Sequence, residues 1–302
     1  MSEIIRIGTD CSGIEAPIQA LRNINISFSH EFSSDIDRYC IDSIRANYTP
    51  KKIFTDITKR NIKEVPDIDL YVCGFPCQPF SLAGNKKGTK DKRGKIFYSC
   101  LEVIKYKKPK YFLMENVKGL VTIENGIFFN NILKLLQDLK IYDVYWKVLN
   151  TKDYGIPQNR ERLYIIGIRK NLRKTFNWPT PVKMKNLISF IDKNDTQKKV
   201  VPNFIKESNM LKNIPKNSLV VDFSYPKCRY INSDKICPCI TTTCNNLWCI
   251  PLKRYLNIEE LLKLQGFPKK FKQVVSDTQM KKQIGNSMSV CVLENIFKKL
   301  LN

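Results

Sequence analysis

The stretch Leu70-Tyr-Val-Cys-Gly-Phe-Pro-Cys-Gln-Pro-Phe-Ser81 runs an apolar strand into a loop punctuated by glycine and proline, and that loop presents Cys77. In a parallel α/β sheet, ligands bind outside the carboxyl ends of the strands, so a thiol at this place belongs to a site rather than to a core. Cys73, four residues earlier and inside the strand, reads as a small packed hydrophobe. Working outward, the first 170 residues alternate short β-type runs with helical patterns, as a doubly wound parallel sheet requires. Strands are predicted at 4–8, 27–32, 70–73, 111–114 and 163–168, and helices at 38–47, 96–105 and 128–139. Ile14, Ile18 and Leu21 recur at helical spacing behind the first strand.

From residue 171 to about 253 the alternation fades into irregular, lysine- and asparagine-rich sequence with several prolines and with Trp178, Phe223, Tyr225, Tyr230 and Trp248. This reads as a separate small lobe. Two helices follow at 258–264 and 289–301, the second carrying Val290, Leu293, Ile296, Phe297 and Leu300 on one apolar stripe.

Lysine and arginine number 51 against 28 acids, a net charge of +23, which favours a polyanionic partner through counterion release and steering. No apolar run approaches a membrane span, and Met1 to Ile4 lacks the layout of a secretion signal, so an intracellular protein is expected. Eleven cysteines outside a secretory context read as reduced thiols. Cys228, Cys237, Cys239, Cys244 and Cys249 cluster in the small lobe, but Cys-Pro-Cys is not zinc-knuckle spacing, and no metal is expected. His30 is the only histidine, which argues against Ser-His-Asp or Cys-His catalysis.

Two further elements matter once the thiol is in place. Tyr111-Phe-Leu-Met-Glu-Asn116 ends an apolar run in a carboxylate and an amide, and an acid there can share a proton with a heterocyclic nitrogen if the site is dry. Gln158-Asn-Arg-Glu-Arg162 puts two arginines on one side of an extended segment, suited to an anion or a base carbonyl. Taken alone, each reads as an ordinary surface pair.

Together and in this order, these elements resemble the cytosine-C5 DNA methyltransferase family. Gly74-Phe-Pro-Cys-Gln-Pro-Phe-Ser81 resembles its nucleophile loop, Glu115-Asn-Val117 its catalytic acid strand, and Gln158-Asn-Arg-Glu-Arg162 its base-binding segment. Residues 254–268, with Gln265-Gly-Phe-Pro268, and Gln283-Ile-Gly-Asn-Ser287 are similar to its last two motifs. The resemblance implies an α/β, Rossmann-like S-adenosylmethionine-dependent methyltransferase fold with a smaller target-recognition domain. It assigns 1–170, completed by 275–302, to catalysis and cofactor binding, and 171–274 to the recognition lobe.

By that resemblance, Cys77 is the nucleophile, Glu115 the group on N3 of cytosine and Arg162 the group on its O2, with Asn116 and Arg160 orienting them. S-adenosylmethionine would be held by Ser12, Gly13, Ile14, Asp35, Asp56, Ile57, Pro76, Ile96 and Asn286, with Glu31 as the alternative to Asp35 on the ribose. Gln78 and Ser81 would follow a flipped base into the gap, and Lys86 and Arg93 would hold phosphates from the loop at 84–94. The expected partner is double-stranded DNA and the expected state a monomer. A tRNA substrate ranks lower, because that branch carries Cys-Phe-Thr where this chain has Cys239-Ile-Thr. A non-catalytic nucleic-acid-binding relative is a third reading. The departure is in the cofactor turn, Asp10-Cys-Ser-Gly-Ile-Glu-Ala16, where Cys11 stands in place of the family's phenylalanine and Glu15 in place of its second glycine.

Overall fold

The computed structural model describes residues 4–76, 95–195, 214, 218–223, 229–230, 235–242 and 247–301. The chain divides into two compact units: Met1–Leu149, Glu161–Pro179 and Leu293–Asn302 make the first, and Asn150–Arg160 with Thr180–Val292 the second.

In the first unit the described residues supply strands β1 (Ile5–Asp10), β2 (Phe28–Ser34), β3 (Lys52–Phe54), β4 (Leu70–Cys73), β5 (Tyr111–Val117), β6 (Tyr142–Asn150) and β7 (Glu161–Arg169). They form one sheet in the order β3-β2-β1-β4-β5-β7-β6. The pairs β3·β2, β2·β1, β1·β4 and β4·β5 are parallel and β5·β7 is antiparallel. This is the α/β, Rossmann-like arrangement expected. The chain leaves β1 toward β2 and β3 on one side and returns to β4 on the other, so the connections diverge at the carboxyl ends of β1 and β4. Such a topological switch point opens a crevice there.

The central strands are mostly buried, β4 at all four positions, as expected of parallel strands covered on both faces. Helices α1 (Ala16–Asn23), α2 (Arg38–Asn47), α3 (Lys95–Lys107) and α4 (Ile127–Gln137) connect them. Asp37 caps α2 by accepting from Tyr39 N, and α4 buries Phe128, Phe129, Ile132 and Leu136 at helical spacing. These side chains share a core with Phe32, Tyr71, Phe97, Val103, Ile104 and Phe112, each worth roughly 1.5–3 kcal/mol relative to exposure. Strands β3 and β6 were not expected from sequence. They end the sheet on either side, and their partial burial, with Trp146 exposed on β6, leaves no continuous apolar run.

The second unit holds a small sheet in the order β11-β10-β8-β9, built from β8 (Val220–Asp222), β9 (Arg229–Tyr230), β10 (Leu247–Cys249) and β11 (Arg254–Tyr255), with antiparallel pairing. Helices α5 (Ile258–Gln265) and α6 (Asp277–Asn286) follow, then α7 (Val290–Leu301), which from Leu293 onward belongs to the first unit. There Glu294 accepts from Asn23 Nδ2 at 2.5 Å. Helix α6 is polar enough to lack a hydrophobic stripe, but Ser276 caps it through Gln279 N. Among the described residues no helix is long and apolar enough to cross a membrane.

Candidate active site

Two strands of the first unit bring the expected acid and base-binding residues together. In the β5·β7 ladder Glu115 lies opposite Tyr164 and Val117 opposite Arg162, so Glu115 and Arg162 are diagonal neighbours on one face of the sheet. Arg162 Nε stands 3.4 Å from Glu115 Oε1, and both side chains are largely buried. One residue on, Asn116 turns to the other face and its Nδ2 donates to the Phe75 carbonyl at 2.9 Å. That bond ties the end of β5 to the three residues, Gly74 to Pro76, that lead from β4 toward Cys77. Cys77 itself, with Gln78, Ser81, Lys86 and Arg93, lies outside the described residues.

Cys73 is wholly buried, its Sγ 3.1 Å from that of Cys100. Burial pushes its thiol well above the usual range, which makes it an inert packed sulfur.

Arg160 does not share the surroundings of Arg162. Its guanidinium is buried in the second unit, donating through Nη1 to Ile240 O at 2.7 Å and through Nη2 to Gly285 O at 3.1 Å and Ser287 O at 2.7 Å. Gln158 is buried in the same cluster, its Nε2 on Leu264 O and its Oε1 accepting from Ile240 N. Gly285 belongs there because a Cβ would meet the Thr241 carbonyl oxygen at 2.3 Å. Asn286, next to it at the end of α6, is exposed.

The cofactor turn follows β1. Cys11, Gly13 and Glu15 all take left-handed backbone conformations, with φ of 51°, 55° and 59°, and a Cβ on Gly13 would meet nothing within 4 Å. Glu15 therefore keeps the conformation that suits the family's glycine, at the cost of strain in a residue with a Cβ. Its fully buried carboxylate accepts from Thr9 Oγ1 at 2.6 Å and Ser33 Oγ at 2.5 Å, and lies 3.5 Å from His30 Nε2. Ser12 Oγ accepts from Ser34 N at 2.9 Å, and Ile14 is wholly buried.

Asp35 reaches this turn: its Oδ2 accepts from Gly13 N at 2.8 Å and its Oδ1 from Asp37 N at 2.9 Å. Burial, the largest influence, pushes its carboxyl up against the pull of those two N–H groups. Glu31, the alternative, is instead paired with Lys51 at 2.8 Å. Asp56 accepts from Thr58 Oγ1 at 2.7 Å and from Thr58 N at 2.9 Å, and the hydroxyl's bond holds its carboxyl below the usual value. Ile57 and Ile96 pack partly buried on the core of the first unit, and Pro76 is exposed.

The chemistry of these residues fits an amino-acid-bearing nucleoside: open backbone at Gly13, the Asp35 carboxylate on Gly13 N and a second acid at Asp56, all in the first unit. The model of the C-5 cytosine-specific DNA methylases matches residues 11–302. The chain belongs to the C-5 cytosine-specific DNA methylases. Among its relatives, Type II methyltransferase M.HaeII of Haemophilus aegyptius is 38% identical over 90% of this chain and 85% of its own. Type II methyltransferase M.NgoBI of Neisseria gonorrhoeae is 37% identical over 87% and 83%. In fold this methylase is similar to the Dnmt2 methyltransferase of S. pombe, at a TM-score of 0.76 and 21% identity over 98% of each chain. It is similar also to the Entamoeba histolytica methyltransferase EhMeth, at 0.72 and 20% over 99% of each.

Sequence reasoning missed the polar groups beneath the turn. Asp10, at the end of β1, is 1% exposed and bound by Arg60 and Tyr71. An acid closing an apolar strand at the switch point was a signal for it; nothing local marked Arg60.

Proposed function

We propose that this methylase transfers a methyl group from S-adenosylmethionine to C5 of a cytosine flipped out of double-stranded DNA, acting inside the cell as a monomer. The observation that carries the reading is the Glu115–Arg162 pair at the end of β5, with Asn116 on the backbone that leads to Cys77.

C5 of cytosine is too weak a nucleophile to attack unaided, so the ring is activated covalently. The Cys77 thiolate adds to C6, forming an S–C6 bond while electron density moves into the ring toward N3 and O2. Glu115 holds or protonates N3, and Arg162 binds O2, so charge is stabilised as it forms. Bound S-adenosylmethionine supplies an electrophilic methyl on a sulfonium sulfur. C5 of the activated ring would take that methyl as its bond to sulfur breaks, with S-adenosylhomocysteine as the leaving group; loss of the C5 proton to a base would then break the S–C6 bond, release the Cys77 thiolate and leave 5-methylcytosine. Burial of both side chains strengthens the Glu115–Arg162 coupling relative to water.

In this reading Ser12, Gly13 and Ile14 take the cofactor's amino-acid end, Asp35 the ribose hydroxyls and Asp56 the adenine amino group, with Ile57, Pro76 and Ile96 beside the ring and Asn286 completing the site. Arg160 keeps the second unit's inner segments in place and so acts through them. Gln78 and Ser81 fill the gap left by the base, and Lys86 and Arg93 hold phosphates. Residues 1–170 with 275–302 carry the chemistry, and 171–274 select the site methylated.

The test is transfer of tritiated methyl to duplex DNA and to tRNA, followed by bisulfite sequencing. Label on cytosine C5 of DNA supports the proposal. Label on tRNA alone overturns the substrate.

A further inference from the structure

The segment carrying Asp56 has neither helix nor strand to hold it. Residues 55–61 lie between β3 and a short 3-10 turn at Ile62–Glu64, and Thr58 and Lys59 are exposed. The segment folds on itself, with Lys59 N donating to Asp56 O at 3.1 Å and Thr58 closing on the Asp56 carboxylate. Ile57 packs it partly buried on the core and the Thr55 carbonyl accepts from Ser34 Oγ at 3.2 Å, and at its far end Arg60 ties it to β1. The Arg60 side chain is 3% exposed, and Nη1 and Nη2 each donate to one oxygen of Asp10 at 2.7 Å. Tyr71 Oη donates to Asp10 Oδ2 at 2.6 Å. The guanidinium lies over Phe54 at 4.8 Å and Phe32 at 5.3 Å from the ring centres.

Asp10 is the last residue of β1 and the neighbour of Cys11, so this two-pronged bond joins the root of the cofactor turn to the segment holding Asp56. A buried ion pair gives little net stability over apolar packing, because desolvating both charges offsets their attraction, but its paired geometry can fix a register. The rings of Phe54 and Phe32, set edge to face at 77°, lie against the guanidinium and restrict its movement.

We infer that Arg60 is a positioning residue for adenine recognition, holding Asp56 at a set distance from the cofactor turn through Asp10. The inference rests on the proposed role of Asp56 toward the adenine amino group. It concerns selectivity for the base and not the methyl transfer.

The test is calorimetric binding of S-adenosylhomocysteine and S-inosylhomocysteine, which carries a carbonyl where adenine has its amino group, to the full chain. A hydrogen bond to a charged acceptor makes the wild type prefer the adenosyl ligand about ten-fold or more. Arg60→Lys, which keeps the charge and loses the fork, and the paired variant Asp10→Asn with Arg60→Met, which removes both charges together, should cut that preference to about three-fold or less. The affinity for the inosyl ligand should stay unchanged, a separation that general loosening does not produce. If the paired variant does not melt cooperatively, Arg60→Lys decides alone. Equal weakening of both ligands, or an undiminished preference, overturns the inference. Asp56→Asn separates the two ideas: a preference that survives it removes the Asp56 reading itself, whereas one that collapses there and persists in the Arg60 variants removes only the role of Arg60.

Discussion

Glu115 Oε1 and Arg162 Nε stand 3.4 Å apart although 46 residues separate them in the chain, because antiparallel pairing of β5 with β7 sets them diagonally on one sheet face. The pairing sets a carboxyl and a guanidinium side by side, both largely buried. Glu115→Gln should lower kcat by about 10²–10⁴-fold, the usual worth of a positioned acid, while the affinity for duplex DNA stays within about two-fold, a change of only a few tenths of a kcal/mol. Single-turnover methyl transfer and a binding titration check it; equal loss in both would mean that Glu115 only supports the fold.

Asn116 makes a different prediction, because its partner is backbone. Asn116→Ala leaves the buried Phe75 carbonyl without its donor, costing about 1–3 kcal/mol. Asn116→Asp sets a carboxylate against that oxygen and should be worse in both thermal stability and activity. Equal melting temperatures for Asn116→Asp and wild type would contradict the bond.

Glu15 carries two opposed effects that a pair of variants separates. Glu15→Ala removes the acceptor of Thr9 and Ser33 but keeps a Cβ on a left-handed backbone, whereas Glu15→Gly removes both. Both should destabilise, with the glycine variant about 1 kcal/mol the less affected. Denaturant unfolding measures the difference, and an alanine variant as stable as the glycine variant would mean that the turn carries no strain.

At Gly285 the expected effect is steric. A Cβ there meets the Thr241 backbone at 2.3 Å, so Gly285→Ala should destabilise the protein by about 1–3 kcal/mol or more, as overpacking does. Asn286→Ala, at an exposed neighbour, should leave stability within about 0.5 kcal/mol and weaken S-adenosylmethionine binding. Thermal melts of the two variants with and without the cofactor check both halves.

Much of the first unit was legible in the sequence, since β4 is a continuous apolar run, β1 alternates Ile5 and Ile7 around Arg6, and Arg38–Asn47 is bounded by a capping aspartate. The sheet edges were not, because β3 and β6 are half-buried and mix aromatic with charged residues. Helix α6 stayed hidden because Met280 and Ile284 are its only apolar side chains of any size, the other buried positions being Gln283 and Gly285. Glu115 and Arg162 were readable as motif residues, but their contact depends on strand register, which spacing does not encode. The carbonyl clamp of Arg160 draws on partners up to 127 residues away, and the Arg60–Asp10 bond spans 50; neither leaves a local pattern.

Covalent activation by Cys77 is the central claim, and 5-fluorocytosine tests it most directly, since fluorine cannot leave C5 as a proton does and the adduct is trapped. Duplex DNA carrying the analogue at the methylated site, incubated with the methylase and S-adenosylmethionine, should give a denaturation-resistant complex in wild type and in Cys73→Ser, and none in Cys77→Ser. A complex of undiminished yield in Cys77→Ser would contradict the account.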